Sequence, residues 1–233
     1  MQARILLVSG WAYGSGALAP LAESLGRSFR SGLLAVADLE PSESGSYGEA
    51  LAARVQEPTV LVGWSMGGMA AIEAVLLAPE RVSALVLIGS TPRFCRCEGF
   101  PHGAAGERLN QMTMRFQGEP GAALREFFLL ASGTEGKGLV DSALSLGRDR
   151  LLEGLGYLDR ADLRSPVESI RHPTLVCHGK KDRVVPWRAA PWIVDRIPGS
   201  ECRLFPDAGH DLPVREPGRV AAQVREFLRS RLG

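Results

Sequence analysis

The chain has 233 residues, 45% of them hydrophobic, and carries 27 Lys and Arg against 26 Asp and Glu. That length and apolar content suit a single sizeable core, and a net charge of +1 with no dense basic run argues against nucleic acid as a partner. No segment reaches the roughly 20 apolar residues of a membrane span, and the first apolar run is too short for a signal-peptide core, so a soluble cytoplasmic protein without a membrane partner is expected.

Taken in chain order, short apolar strand-like runs fall at residues 5–9, 33–37, 59–63, 84–88, 174–178 and 201–205. Helix-like runs fall between and after them at 18–25, 47–55, 69–77, 187–197 and 219–232. Such β-α alternation predicts an α/β fold with a mostly parallel sheet covered by helices on both faces, and ligands at the carboxyl ends of its strands. The rhythm breaks between 94 and 170, where three helical stretches, 107–117, 121–132 and 139–155, are joined by Gly and Pro. This segment reads as a helical cap inserted after the fourth strand, leaving 1–93 and 171–233 as the core.

The four cysteines, Cys95, Cys97, Cys177 and Cys202, are too few and too scattered for a disulfide framework. Cys95-Arg96-Cys97 with His102 nearby matches no common zinc spacing and lacks a fourth ligand, so neither a metal nor a cofactor is expected.

The most informative local pattern is Gly63-Trp64-Ser65-Met66-Gly67, flanked by the strand-like Thr59-Val60-Leu61-Val62 and by a helix-like stretch from Met69. Strand, G-x-S-x-G and helix together describe a nucleophile elbow, in which a sharp turn exposes the serine hydroxyl above a sheet. A serine hydroxyl needs an imidazole to take its proton and a carboxylate to fix that imidazole. The chain supplies them in the order such a fold requires, with Asp182 on the loop after the strand at 174–178 and His210 after the last strand. His102, His172 and His178 compete with His210 but do not follow the final strand, and His178 is read as a partly buried structural residue. Asp207 and Asp211 compete with Asp182, although their closeness to His210 favours loop bonding or helix capping. The backbone N–H groups of Trp11 and Met66 are the candidate oxyanion donors. The Trp11 indole either walls an acyl pocket or packs beneath the cap.

These residues resemble the α/β-hydrolase superfamily, and within it the pimeloyl-[acyl-carrier protein] methyl ester esterases of biotin synthesis. The similar stretches are Ser9-Gly10-Trp11, Gly63-Trp64-Ser65-Met66-Gly67-Gly68, Pro79-Glu80-Arg81-Val82, Ser90-Thr91-Pro92-Arg93-Phe94, Gly179-Lys180-Lys181-Asp182 and Ala208-Gly209-His210. The resemblance implies a serine carboxylesterase with Ser65, Asp182 and His210 as the triad and Trp11 and Met66 at the oxyanion hole. It further implies that Phe127, Phe128, Leu129, Leu130 and Ala131 contact the acyl chain, although packing of a helix explains five apolar residues as readily. An acyl carrier protein bearing the substrate is the implied partner, and a monomer is expected. Carrier docking needs basic residues because acyl carrier proteins are acidic, and Arg115, Arg125, Arg148 and Arg150 are candidates. From 94 to 170, however, nine Lys and Arg face eleven Asp and Glu, so any basic patch is local. Ser9 stands where the family has histidine, the loop after Asp38 lacks the Pro-Gly-x-Gly-x-Ser turn, and the first antiparallel strands are missing. A general short-acyl esterase, a menaquinone-pathway-type lyase with the same triad, and a non-catalytic binding protein on this fold are the alternatives.

Overall fold

The computed structural model describes residues 3–26, 29–136 and 138–232; Met1 and Gln2, the polar lead-in to the first strand, lie outside them. Six strands form one sheet: β1 (Ala3–Val8), β2 (Phe29–Leu34), β3 (Thr59–Trp64), β4 (Val82–Ile88), β5 (Thr174–Gly179) and β6 (Glu201–Phe205). Their order is β2-β1-β3-β4-β5-β6, and every pairing among the described residues is parallel. Parallel strands with both faces covered carry continuous apolar side chains, and all six residues of β3 are buried.

Helices α1 (Ala19–Leu25), α2 (Gly48–Arg54) and α3 (Met66–Leu77) separate the first four strands, α9 (Ala189–Val194) lies between β5 and β6, and α10 (Leu212–Arg215) and α11 (Pro217–Leu232) close the chain. Between β4 and β5 come α4 (Gly106–Gly118), α5 (Pro120–Ser132), α6 (Leu139–Leu144), α7 (Arg148–Arg160) and α8 (Arg164–Val167), with no strand among the described residues. Two details differ from the sequence pattern. The second strand ends at Leu34 rather than spanning 33–37, because Val36–Asp38 turn into a 3-10 helix, and the edge strand itself exposes Arg30, Ser31 and Leu33. The run 139–155 is two helices, broken at Gly147, whose φ of 99° a helix cannot contain.

The chain passes from β1 out to β2 and returns to β3 on the other side of β1, so the carboxyl ends of β1 and β3 flank a crevice at the point where strand order reverses. Helix α3 starts there and is buried along nearly its whole length from Met66 to Val75, as expected of a helix that is apolar all round. Its close approach depends on two glycines. A Cβ on Gly63 would lie 2.4 Å from Gly68 Cα, and one on Gly67 would lie 2.5 Å from the carbonyl oxygens of Val8 and Ser9. Gly63→Ala should therefore destabilise the protein by about 3 kcal/mol or more, since the clash is with backbone and no rotamer relieves it. Urea unfolding measures this, and a midpoint equal to the parent's would show that β3 and α3 can separate freely.

Candidate active site

Between β3 and α3 the chain turns at Ser65 with φ 55° and ψ −122°, a left-handed conformation rare for a residue bearing a Cβ. The elbow is held by Ser65 N–H donating to Ile88 O at 2.9 Å and by the Ser90 hydroxyl donating to Ser65 O at 2.8 Å. Gly10, on the loop after β1, passes so close that a Cβ there would meet Ser65 Cβ at 2.9 Å. The hydroxyl thus projects into the crevice beside the Gly10-Trp11 backbone.

His210 reaches it from the loop after β6. Its Nε2 is 3.0 Å from Ser65 Oγ and its Nδ1 is 2.8 Å from Asp182 Oδ2. Asp182 enters from the loop after β5, and its other oxygen, Oδ1, accepts the N–H groups of Val184 and Val185, each at 2.8 Å. Burial alone would raise this carboxyl, but the His210 charge and the hydrogen bonds from His178 and His210 outweigh it, holding the group far below the usual carboxylate range. Asp182 is thus an anion through the working pH range. The three groups, separated by 117 and 28 positions in the chain, form one hydrogen-bonded line, the geometry in which an imidazole accepts a hydroxyl proton and a carboxylate stabilises the resulting cation.

The competing residues go elsewhere. Asp207 is exposed and pairs with Lys181 at 3.3 Å, while Asp211 opens α10 and pairs with Arg215 at 3.0 Å, without a side-chain capping bond. Burial raises the Asp211 carboxyl, its bond and charge contact with Arg215 opposing the rise. His172 Nε2 lies 2.9 Å from Pro79 O, and the His102 ring packs edge-on against Phe100. His178, expected to be partly buried, is wholly buried, with Nε2 3.2 Å from Asp182 Oδ2.

The Met66 N–H opens α3 and so has no partner within its own helix. Neither it nor the Trp11 N–H donates to a backbone carbonyl among the described residues. The two side chains adjoin: a Cβ on Gly154 of α7 would meet Trp11 Cδ1 at 2.8 Å and Met66 Sδ at 3.4 Å. The Trp11 indole is buried, donating from Nε1 to Leu151 O at 2.9 Å and crossing the rings of Phe116 and Phe127 edge-on. It therefore both packs under the inserted helices and lines the cavity above Ser65.

That cavity, about 370 Å³, runs from Ser65 between α4, α5 and α7. Its apolar wall includes Trp11, Phe94, Met112, Phe127, Leu130 and Leu155, and its polar edge Arg108, Gln111, Arg115, Glu126 and Arg183. Within the stretch 127–131, only Phe127 and Leu130 face it, three residues apart on one side of α5. Phe128 and Ala131 turn into the core, and Leu129 points to solvent, so these three do not line the cavity. None of residues 39–46, where the family's turn is missing, lines it either. Of the candidate docking arginines, Arg115 borders the cavity and pairs with Glu126 at 2.6 Å, and Arg125 lies beside it on a shallow surface depression. Arg148 instead bonds Gln117 O, and Arg150 faces Asp38 at 3.7 Å.

A family model for the alpha/beta hydrolase family matches residues 5–223. The chain belongs to that family and is a hydrolase. The chain is 33% identical to the pimeloyl-[acyl-carrier protein] methyl ester esterase of Nitrosomonas europaea over 88% of each chain. It is 30% identical to the esterase of the same name from Aromatoleum aromaticum over 79% of each. Among solved structures, an esterase from Exiguobacterium antarcticum superposes with a TM-score of 0.84 at 20% identity, covering 97% of this chain and 92% of that one. A thermophilic esterase from Thermogutta terrifontis gives 0.81 at 24%, covering 98% and 90%. At those identities the likeness is one of fold.

Three supporting residues escape the sequence reading. Trp64, the variable residue of the elbow motif, donates from Nε1 to His210 O at 2.9 Å and so ties the histidine loop to β3. Tyr13 stacks on Trp64 with ring centroids 4.3 Å apart, and Ser90 holds the elbow as described. Trp64 and Ser90 sit inside quoted motifs, but only the fold reveals what they bond. Trp64→Phe leaves the buried His210 carbonyl without its donor and should cost about 1–3 kcal/mol of stability. Comparing urea midpoints of the two proteins checks this, and an unchanged midpoint would show that the carbonyl finds another donor.

Proposed function

We propose that this hydrolase is a serine carboxylesterase that removes methanol from the methyl ester of a pimeloyl chain carried on acyl carrier protein. The observation that carries the proposal is the Ser65–His210–Asp182 line, with contacts of 3.0 and 2.8 Å, at the floor of a largely apolar cavity roofed by the insertion between β4 and β5. The relatives from Nitrosomonas europaea and Aromatoleum aromaticum, whose names state that reaction, support the choice of substrate.

In this reading Ser65 Oγ adds to the ester carbonyl as its proton passes to His210 Nε2, and Asp182 stabilises the imidazolium. The N–H groups of Trp11 and Met66 receive the oxyanion. Collapse breaks the bond to the methoxy oxygen, which takes the proton from His210 and leaves as methanol, with the acyl group on Ser65. Water then gives a proton to His210 and attacks the acyl carbonyl; the carboxylic acid departs and Ser65 regains its proton. The apolar wall accommodates methylene groups, each contributing about 0.8 kcal/mol when buried. Arg108, Arg115 and Arg183 at the cavity edge supply local positive charge toward an acidic carrier, although Arg115 shares its charge with Glu126. The helices α4 to α8 act as the cap, and residues 94–170 form that unit.

Ser65→Ala should lower kcat by about six orders of magnitude if the three groups act as a unit. Hydrolysis of a short p-nitrophenyl ester at near parental rate by that variant would end the reading. For the substrate, the parent gene should restore biotin-free growth to a bacterium lacking its methyl ester esterase. Robust ester hydrolysis without such rescue would leave a general short-acyl esterase.

A further inference from the structure

The buried imidazole behind Asp182 has no part in the reaction just described, yet it is placed against the carboxylate on which that reaction depends. His178 is the fifth residue of β5, and it and Asp182 show no side-chain exposure. Its Nε2 is 3.1 Å from Val185 O, with the ring N–H aligned on that carbonyl, and 3.2 Å from Asp182 Oδ2. Its Nδ1 is buried without a hydrogen-bond partner among the described residues.

These distances fix the tautomer. A proton on Nδ1 would be a buried donor with nothing to accept it, while the Nε2 lone pair would face two oxygens. A doubly protonated ring would leave the same orphan at Nδ1. The neutral ring with its hydrogen on Nε2 satisfies the donor and leaves only a lone pair unmet, the cheaper outcome. We propose that His178 is a positioning residue for the reaction: its single N–H, shared between Val185 O and Asp182 Oδ2, fixes the orientation and tempers the basicity of the carboxylate that holds His210. The proposal rests on the triad reading above.

Both halves follow from the contacts. By holding Val185 O, His178 steadies the turn whose two N–H groups, from Val184 and Val185, grip Asp182 Oδ1. By lying against Oδ2, it competes with His210 Nδ1 for the same oxygen. A carboxylate oxygen that meets two donors attracts each less strongly, so the hold of Asp182 on the His210 ring is weaker than that of an unshared carboxylate would be. A hydrogen bond from His178 is among the causes that lower the Asp182 carboxyl, after burial, which raises it, and the His210 charge. Titratable and charged groups near the pair include Tyr13 from the loop after β1, Asp211 at the end of the loop after β6 and Arg215 on α10. Substitution of His178 leaves these residues themselves in place. A histidine that merely filled the core would satisfy Val185 and have no effect on the titration of His210.

The test is the pH profile of kcat/KM on a small chromogenic ester for the parent, His178→Leu and His178→Gln, measured from about pH 5 to 9. Removing the donor should move the acidic limb upward by about half a unit to one unit in His178→Leu. His178→Gln, whose amide N–H groups can reach both oxygens, should return the limb toward the parent position. An unmoved limb in folded His178→Leu, or a His178→Gln limb displaced as far as that of His178→Leu, overturns the proposal. Should His178→Leu not fold, nitrogen-detected NMR of the parent decides: a neutral ring protonated on Nε2 throughout that range supports the assignment, and a ring protonated on Nδ1 or titrating within it overturns it. Fluorophosphonate labelling separates the two levels of inference. A parent protein that does not label at Ser65 defeats the triad reading, whereas one that labels but shows an unmoved limb defeats only the role of His178.

Discussion

The site depends first on a backbone held where it would not rest by itself. Ser65 sits at φ 55°, a conformation costing on the order of 1–3 kcal/mol for a residue with a side chain. The core offsets that cost: β3 is buried throughout, α3 is buried on nearly every face, and glycine at 63 lets α3 close on β3 while glycine at 67 lets it close on the end of β1. Relaxing the turn would require moving a central strand away from a central helix. The same contact places the hydroxyl in the crevice at the start of α3, whose first N–H, that of Met66, has no partner within its own helix.

A second constraint concerns charge. Asp182 has no side-chain exposure, and it is tolerable there because its oxygens accept two backbone N–H groups on one side and the His210 ring on the other, with the His178 ring 3.2 Å away. Asp207 and Asp211, only a few residues from His210, satisfy themselves with exposed or half-exposed cations instead. The difference lies in the strand ends. The carboxyl end of β5 abuts that of β6 in register, Gly179 opposite Phe205, so the loops leaving them face one another and bring position 182 to position 210.

Much of this was legible from the chain because the relevant signals are local. A buried parallel strand, a glycine-flanked serine and a helix announce themselves within a dozen residues, and five of the six strands fall within two residues of the apolar runs that mark them. The exception is β2, an edge strand with Arg30 and Ser31 exposed, whose pattern is polar because a neighbour covers it on one side only. What the chain did not disclose is direction. Five apolar residues at 127–131 resemble one contact surface, yet helical periodicity sends Phe127 and Leu130 to the cavity, Phe128 and Ala131 to the core and Leu129 to water. His178 looks like an ordinary strand residue because the proximity that distinguishes it, to Asp182 Oδ2, arises from a turn four residues later. The bonds of Trp64 and Ser90 cross the sheet in the same way and leave no trace in spacing.

The inserted helices are tied to the sheet at three places by contacts of different kinds. At the neck, Leu163 N–H donates to Pro92 O at 2.8 Å and Arg93 pairs with Asp162 at 3.0 Å, so the entering and leaving segments are clasped together. Over the loop after β1, the buried bond from Trp11 to Leu151 O, the close seat of Gly154 on the indole and the Phe116 and Phe127 rings hold α7, α4 and α5 down on β1's exit. On the remaining side, Phe94 and Phe100 pack with Val184, Val185 and Ala189, and α4 meets the loop carrying Asp182 through the exposed hydrogen bond from Arg108 to Arg183 O at 3.2 Å. A solvent-exposed bond of that kind contributes little, whereas lifting α7 would expose an aromatic cluster and strand the Leu151 carbonyl. The loop after β1 and the inserted helices are therefore fastened together through the Trp11 indole.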